Sequence, residues 1–401
     1  MKYVILLGDG MADGKIAELG GKTPLQYAAT PNMDFLAAHG ELGTARTVPE
    51  GFAPGSDVAN LSVMGYDPQQ YYTGRSPLEA VSMGLDLEDS DIAFRCNLVT
   101  LSERGMYAEK TMVDYSSDEI ATHEAAELIR EVNARLGTGK LRFYPGISYR
   151  HLMVWKGGPS GADLTPPHDI SGRVIAGYLP GGEGGETLLN LMQESNAFLP
   201  GHPVNRKRVA TGLRPANSVW FWGQGMRPAL PKFYDKYRLT GAVISAVDLI
   251  KGIGICAGLD VVEVEGATGN IHTNFRGKAL AALDELKRGK DFIYIHVEAP
   301  DEAGHRGELE NKVKAIEEVD GMLGLLLDGL SRFDSYKIMV LPDHPTPMST
   351  RTHSANPVPF AIYAKGRETG GKNAAYDEDA AIKSNFNFPA GHELMDYFIH
   401  G

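Results

Sequence analysis

Asp301 and His305 stand four residues apart, the spacing that puts two side chains on one side of a helical turn, where both can bind one ion. Gly304 between them also allows a loop. Asp343 and His344 are adjacent, His353 follows nine residues later, and Asp9 lies near the start of the chain. Together these residues offer enough oxygen and nitrogen ligands for two divalent ions of the borderline kind, such as Mn²⁺ or Zn²⁺. Ser56 comes after Pro54 and Gly55, just before an expected helix. A serine there either caps the helix or faces a phosphate drawn to the helix N-terminus. Its hydroxyl becomes a useful nucleophile only when a base or a metal ion lowers its pKa.

Three short apolar runs must position this chemistry. Tyr3–Leu7, Phe292–Val297 and Ile338–Leu341 are continuous rather than alternating, as expected of strands buried on both faces of a parallel sheet. Each passes at once into polar residues: Asp9, then Glu298 to His305, then Asp343-His344. Ligands collect outside the carboxyl ends of such strands, so three reactive clusters at three strand ends imply one shared site. Amphipathic helices are expected over residues 308–331, from Leu309, Val313, Ile316, Val319, Met322 and Leu323, and over Lys278–Arg288. The middle of the chain is richer in Gly and Pro, at Gly157-Gly158-Pro159 and from Pro180 to Gly185. The expected fold is α/β: a mostly parallel sheet sandwiched by helices, built from residues 1–95 and 239–401, with a smaller α+β domain inserted at residues 96–238.

With 39 Lys and Arg against 51 Asp and Glu, the net charge of −12 argues against a nucleic-acid partner and requires local cations for any anionic substrate. Cys96 and Cys256 are 160 residues apart, with no C-x-x-C spacing, which excludes a disulfide framework and a thiolate zinc site and fits a reducing cytoplasm. Tyr3–Leu7 is too short for a signal segment or a membrane span, so no membrane association is expected. Gly20-Gly21-Lys22-Thr23 is not a P-loop, because Ile16 stands where the motif needs Gly.

Several segments in order carry a resemblance: Gly8-Asp9-Gly10, Lys22-Thr23-Pro24-Leu25, Thr30 to Asp34, Pro54 to Asp57, Gly65-Tyr66-Asp67-Pro68, Tyr72 to Ala80, Ala299 to His305, and Asp343-His344. In these the chain resembles the archaeal-type cofactor-independent phosphoglycerate mutases of the alkaline phosphatase superfamily. The resemblance implies a phosphatase-like α/β domain with an inserted domain that closes over the substrate. It implies one ion on Asp301, His305 and His353, a second on Asp9, Ser56, Asp343 and His344, and Ser56 as the nucleophile. Mn²⁺ is the expected metal, with Zn²⁺, Mg²⁺ or Co²⁺ as alternatives. The implied reaction of glycolysis and gluconeogenesis moves the phosphoryl group of 3-phosphoglycerate to the serine and returns it to the 2-hydroxyl. Cations for this small phosphorylated substrate are expected from Arg150, His151, His168 with Asp169, Arg214 and Lys251. Ser56-Asp57-Val58-Ala59-Asn60 and Trp222-Gly223-Gln224-Gly225 also resemble a branch proposed to act as homoserine kinases. A metal-dependent phosphatase is the third reading.

Overall fold

Val4 to Leu7 are fully buried, and the strand that holds them, Lys2–Gly8, is fourth in an eight-stranded sheet in the computed structural model, which describes residues 1–103, 105–367 and 375–401. The sheet order is Asp260–Val261, Gly241–Ile244, Phe292–Val297, Lys2–Gly8, Tyr336–Leu341, Val358–Ala364, Glu41–Ala45, Asn387–Phe388. Every neighbouring pair is parallel except the two that Val358–Ala364 makes, so this strand alone runs against the rest. The three apolar runs expected from sequence are adjacent strands. Leu7 lies opposite His296 on one side and Leu341 on the other, so the three carboxyl ends finish level with one another.

Helices Leu309–Leu330 and Phe275–Lys287 bury Ile316, Val319, Leu323, Ala279 and Leu283 in one core with Val4, Ile293 and Ile338. Helix Ala299–Arg306 starts two residues after its strand and ends at Gly307, whose φ of 71° is the left-handed stop that glycine adopts without strain.

Two compact units divide the chain, residues 1–72 with 229–401, and residues 73–228. The second has its own sheet, with Ile92–Leu101 antiparallel to Arg150–Trp155, Ser218–Gly225 and Met112–Asp114, and Leu141–Tyr144 beside Arg150–Trp155. Helices Thr122–Leu136 and Gly185–Phe198 cover one face around Phe94, Cys96 and Met153. Helix Ser76–Ser82 covers part of the other, placing Ala80 against Ala93 and Val154.

The division therefore falls at 72/73 and 228/229, not at the expected 95/96 and 238/239. Residue 96 lies inside a ten-residue strand, and Ser76–Ser82 belongs with that strand because its apolar side packs there. Among the described residues, no helix is long and apolar enough to cross a membrane.

Candidate active site

Level strand ends bring the expected ligands together. Asp301 and His305 share a turn, with His305 Nε2 3.3 Å from Asp301 Oδ2. His353 enters from a loop, its Nε2 3.4 Å from Asp301 Oδ1 and 2.9 Å from His305 Nε2. His344 lies between two groups of ligands: its ring centroid is 4.0 Å from that of His353, and its Nε2 is 3.5 Å from Asp9 Oδ1 and 3.4 Å from Asp343 Oδ2. Ser56 Oγ is 3.1 Å from the same Nε2. Gly10, at φ 65°, lets the backbone pass against Asp301, where a Cβ would sit 2.8 Å from its Oδ1. All seven expected residues thus converge. Ser56 is not the helix cap: Gly55 occupies that position and Ser56 opens helix Ser56–Val63, which leaves its hydroxyl to the site.

The donor set fits divalent cations. Asp9, Asp301 and Asp343 are buried together, and ligand atoms within 4.8 Å of one another form the groups Asp301, His344, His353 and Asp9, His296, Asp343. Burial, with the charges of Asp343 and Asp301, pushes the Asp9 carboxyl well above its ordinary range. Asp301 is held well below the usual range, because hydrogen bonds from His305 and His353 outweigh its burial. Burial lowers His344, whereas for His305 the Asp301 carboxylate overcomes burial and lifts the imidazole to about 9.

Without a cation, His305 holds a proton at neutral pH that metal binding must displace, and the raised Asp9 carboxyl acts in the same direction. We expect calorimetric titration with Mn²⁺ to register proton release, and apparent affinity to fall by roughly tenfold per unit as pH drops below about 9 while one proton is exchanged. The metal-free protein should also lose stability as pH rises. The His305 contribution is complete below its unfolded pKa near 6.5 and lost through about 9. Affinity that does not change between about pH 6 and 9 would contradict this assignment.

Supporting contacts hold the ligands. Thr346 Oγ1 donates to Asp301 Oδ1, and Lys312 Nζ donates to the Thr346 carbonyl and to Asp13 Oδ2, each at 2.7 Å, with Lys312 and Asp13 both buried. Asn60 Nδ2 donates to Asp343 Oδ2 and to the Ser56 carbonyl, each at 2.8 Å, while its Oδ1 accepts from the buried Tyr294 hydroxyl at 2.6 Å. Asn60→Leu should leave that hydroxyl without its acceptor, lower stability by about 1–3 kcal/mol and cut turnover at least tenfold. Denaturant unfolding together with kinetics checks both effects.

The expected substrate residues separate. Arg150 is exposed, its guanidinium 5.3 Å from the Tyr149 ring centroid. His151 is turned into the core: successive residues of a strand face opposite ways, its Nδ1 accepts from the Gly146 N–H, and burial lowers its pKa to about 3, so it carries no charge. His168 and Asp169 are exposed, and His168 stands edge-on to Trp222. Arg214 is held by Asp114 and Asp118, and Lys251 by Glu263.

Sequence reading missed Arg75 and Arg95, which share Glu79, with Arg95 4.9 Å from the Trp222 ring centroid. Burial, followed by the charges of Arg75 and Arg150, draws Arg95 below its ordinary value against the pull of Glu79. The signal was Arg95 and Asn97, two residues apart on one face of an apolar strand. His296 was also missed, hidden in an apolar run.

The family profile described as 2,3-bisphosphoglycerate-independent phosphoglycerate mutase matches residues 37–205, and that described as type I phosphodiesterase / nucleotide pyrophosphatase matches residues 185–356. A probable 2,3-bisphosphoglycerate-independent phosphoglycerate mutase of Geobacter sulfurreducens is 53% identical over 100% of both chains. A 2,3-bisphosphoglycerate-independent phosphoglycerate mutase of Methanosarcina barkeri is 50% identical, over 100% of this chain and 99% of its own. The solved cofactor-independent phosphoglycerate mutase of Thermoplasma acidophilum superposes with a TM-score of 0.65 at 26% identity, over 99% of each chain. Identity of one half along the full length of both chains leaves no segment of the fold outside the likeness, and the chain belongs to the family of 2,3-bisphosphoglycerate-independent phosphoglycerate mutases.

Proposed function

We propose that this protein is a metal-dependent phosphoglycerate mutase, interconverting 3-phosphoglycerate and 2-phosphoglycerate through a phosphoserine at Ser56. The observation that carries the reading is Ser56 Oγ at 3.1 Å from His344, inside a buried ring of carboxylates and imidazoles. Asp301, His305 and His353 would hold one ion, and Asp9, Asp343, His344 and Ser56 the other. Divalent ions bound there lower the pKa of the serine hydroxyl and neutralise phosphoryl oxygens. Mn²⁺ suits this mixture of carboxylate oxygen and imidazole nitrogen better than Mg²⁺ does.

Ser56, at the first turn of its helix, presents its oxygen where the backbone N–H groups and the helix dipole favour an anion. Asn60 fixes both the Ser56 backbone and the Asp343 carboxylate. The substrate carries a carboxylate as well as a phosphate, and the second unit offers Arg150 beside Arg95 and Arg75 for an anion. Glycerate must turn between the two transfers while Ser56 keeps the phosphoryl group.

Arg150→Ala should raise KM for 3-phosphoglycerate by about tenfold or more, as loss of a charge-assisted hydrogen bond requires, and Arg214→Ala should change it less than threefold. Equal effects of the two variants would remove Arg150 from the site. The reading itself is tested with Mn²⁺-loaded protein and 3-phosphoglycerate in an enolase-coupled assay, alongside ATP with homoserine. Formation of 2-phosphoglycerate supports it. ATP-dependent phosphorylation of homoserine, or steady release of phosphate without isomerisation, would replace it with a kinase or a phosphatase.

A further inference from the structure

His296 interrupts a strand that is otherwise apolar and fully buried. Its ring is 1% exposed, and Lys278 Nζ, itself buried, donates to its main-chain oxygen at 3.1 Å, which fixes the strand end that carries it. On one side, Nδ1 lies 3.4 Å from Ser245 Oγ. On the other, Nε2 lies 3.1 Å from Asp9 Oδ2 without making a hydrogen bond. Asp9 Oδ1 is likewise buried without a hydrogen-bond partner. An orphaned buried polar atom costs about 1–3 kcal/mol, and unlike the equally orphaned Nε2 of the core residue His151, that of His296 faces two buried carboxylates. Here His296 Nε2 is 3.1 Å from a carboxylate oxygen of Asp9, and Asp343 completes a triangle of ligand atoms within 4.8 Å of one another.

We propose that His296 is a direct metal ligand through Nε2, adding an imidazole to the ion held by Asp9 and Asp343. The assignment rests on the two-ion reading above and adds a residue to it. Nδ1–H then points to Ser245 Oγ, the outer contact that a ligating histidine normally makes to fix its tautomer. A second imidazole beside His344 makes this position favour Mn²⁺, Co²⁺ or Zn²⁺ over Mg²⁺.

The test uses the full chain, stripped by chelation and reloaded with Mn²⁺. An anomalous-difference map of Mn²⁺-loaded crystals should place an ion about 2.0–2.4 Å from His296 Nε2. In calorimetric titration, wild-type protein should bind two ions, and His296→Asn should bind one of them at least a hundredfold more weakly, with the other unchanged. Mg²⁺ affinity at the altered position should fall less than Mn²⁺ affinity. His296→Gln, which retains a donor atom, gives a second measurement should the first variant melt early. An ion more than 3 Å from Nε2, or two Mn²⁺ ions bound by both variants within threefold of wild type, overturns the assignment and leaves the mutase reading intact. Wild-type protein that binds no ion overturns both. Two ions with Nε2 ligation but no mutase activity would uphold the ligand and remove the function.

Discussion

Ser56→Ala is expected to abolish phosphoryl transfer, with turnover at least a thousandfold lower and the fold unchanged. Removing the proposed nucleophile leaves no atom to carry the phosphoryl group between the two hydroxyls of glycerate, so residual binding cannot restore the reaction. Stability should change by only about 1 kcal/mol. Gly55 caps the helix, and the Ser56 side chain hydrogen-bonds to His344. Enolase-coupled kinetics and a thermal melt check the two halves. A variant within tenfold of wild-type activity would show that another group accepts the phosphoryl, and wild-type protein trapped with substrate should carry acid-stable phosphate on Ser56 alone.

Chelation should have an effect of similar size on activity and a larger one on stability. Asp9, Asp301 and Asp343 are buried side by side, and Asp9 pairs with the imidazoles of His296 and His344 rather than with Lys or Arg. Burial, and the repulsion within this cluster when no cation is present, push the Asp9 carboxyl well above its ordinary range. A site filled at a hundredfold excess over its Kd stabilises the fold by about 2.7 kcal/mol, so removal of two ions should lower the melting temperature by several degrees and silence the enzyme. Mn²⁺ should restore both. Asp301→Asn should behave as chelated protein at one position, because the carboxylate joins His305 and His353. Activity that survives exhaustive chelation would remove metal ions from the reaction.

The candidate site residues were legible because polar ligands and burial leave separable marks. Three apolar runs with no alternation could only be strands covered on both faces, and polar residues directly after them could only lie at the carboxyl edge. Asp9, Asp301, His305, Asp343, His344 and His353 follow from that pattern, and segment resemblance assigned their roles. Which strands are neighbours was not in the pattern, because apolar runs carry no address. Pairing of Leu7 with both His296 and Leu341 is a choice of the whole sheet, and it alone makes the three ends level.

His296 and Arg95 show the same limit from the other side. One polar residue in an apolar strand reads as tolerated until the fold places Asp9 3.1 Å from its ring. Arg95 reads as a surface charge until Glu79, Trp222 and the charge of Arg150 are brought to it from distant parts of the chain. His151 failed for a local reason, strand alternation, which turned it away from its neighbour Arg150 and into the core. Arg214 and Lys251 were bound by acidic partners that sequence distance concealed. Sequence alone determined the residue types, the buried strands and the helical i, i+4 pair, because these depend on neighbours along the chain. Tertiary structure decided which nitrogen meets which oxygen and which cations remain available to an anion, because those depend on contacts between residues that only the folded sheet brings within a few ångströms.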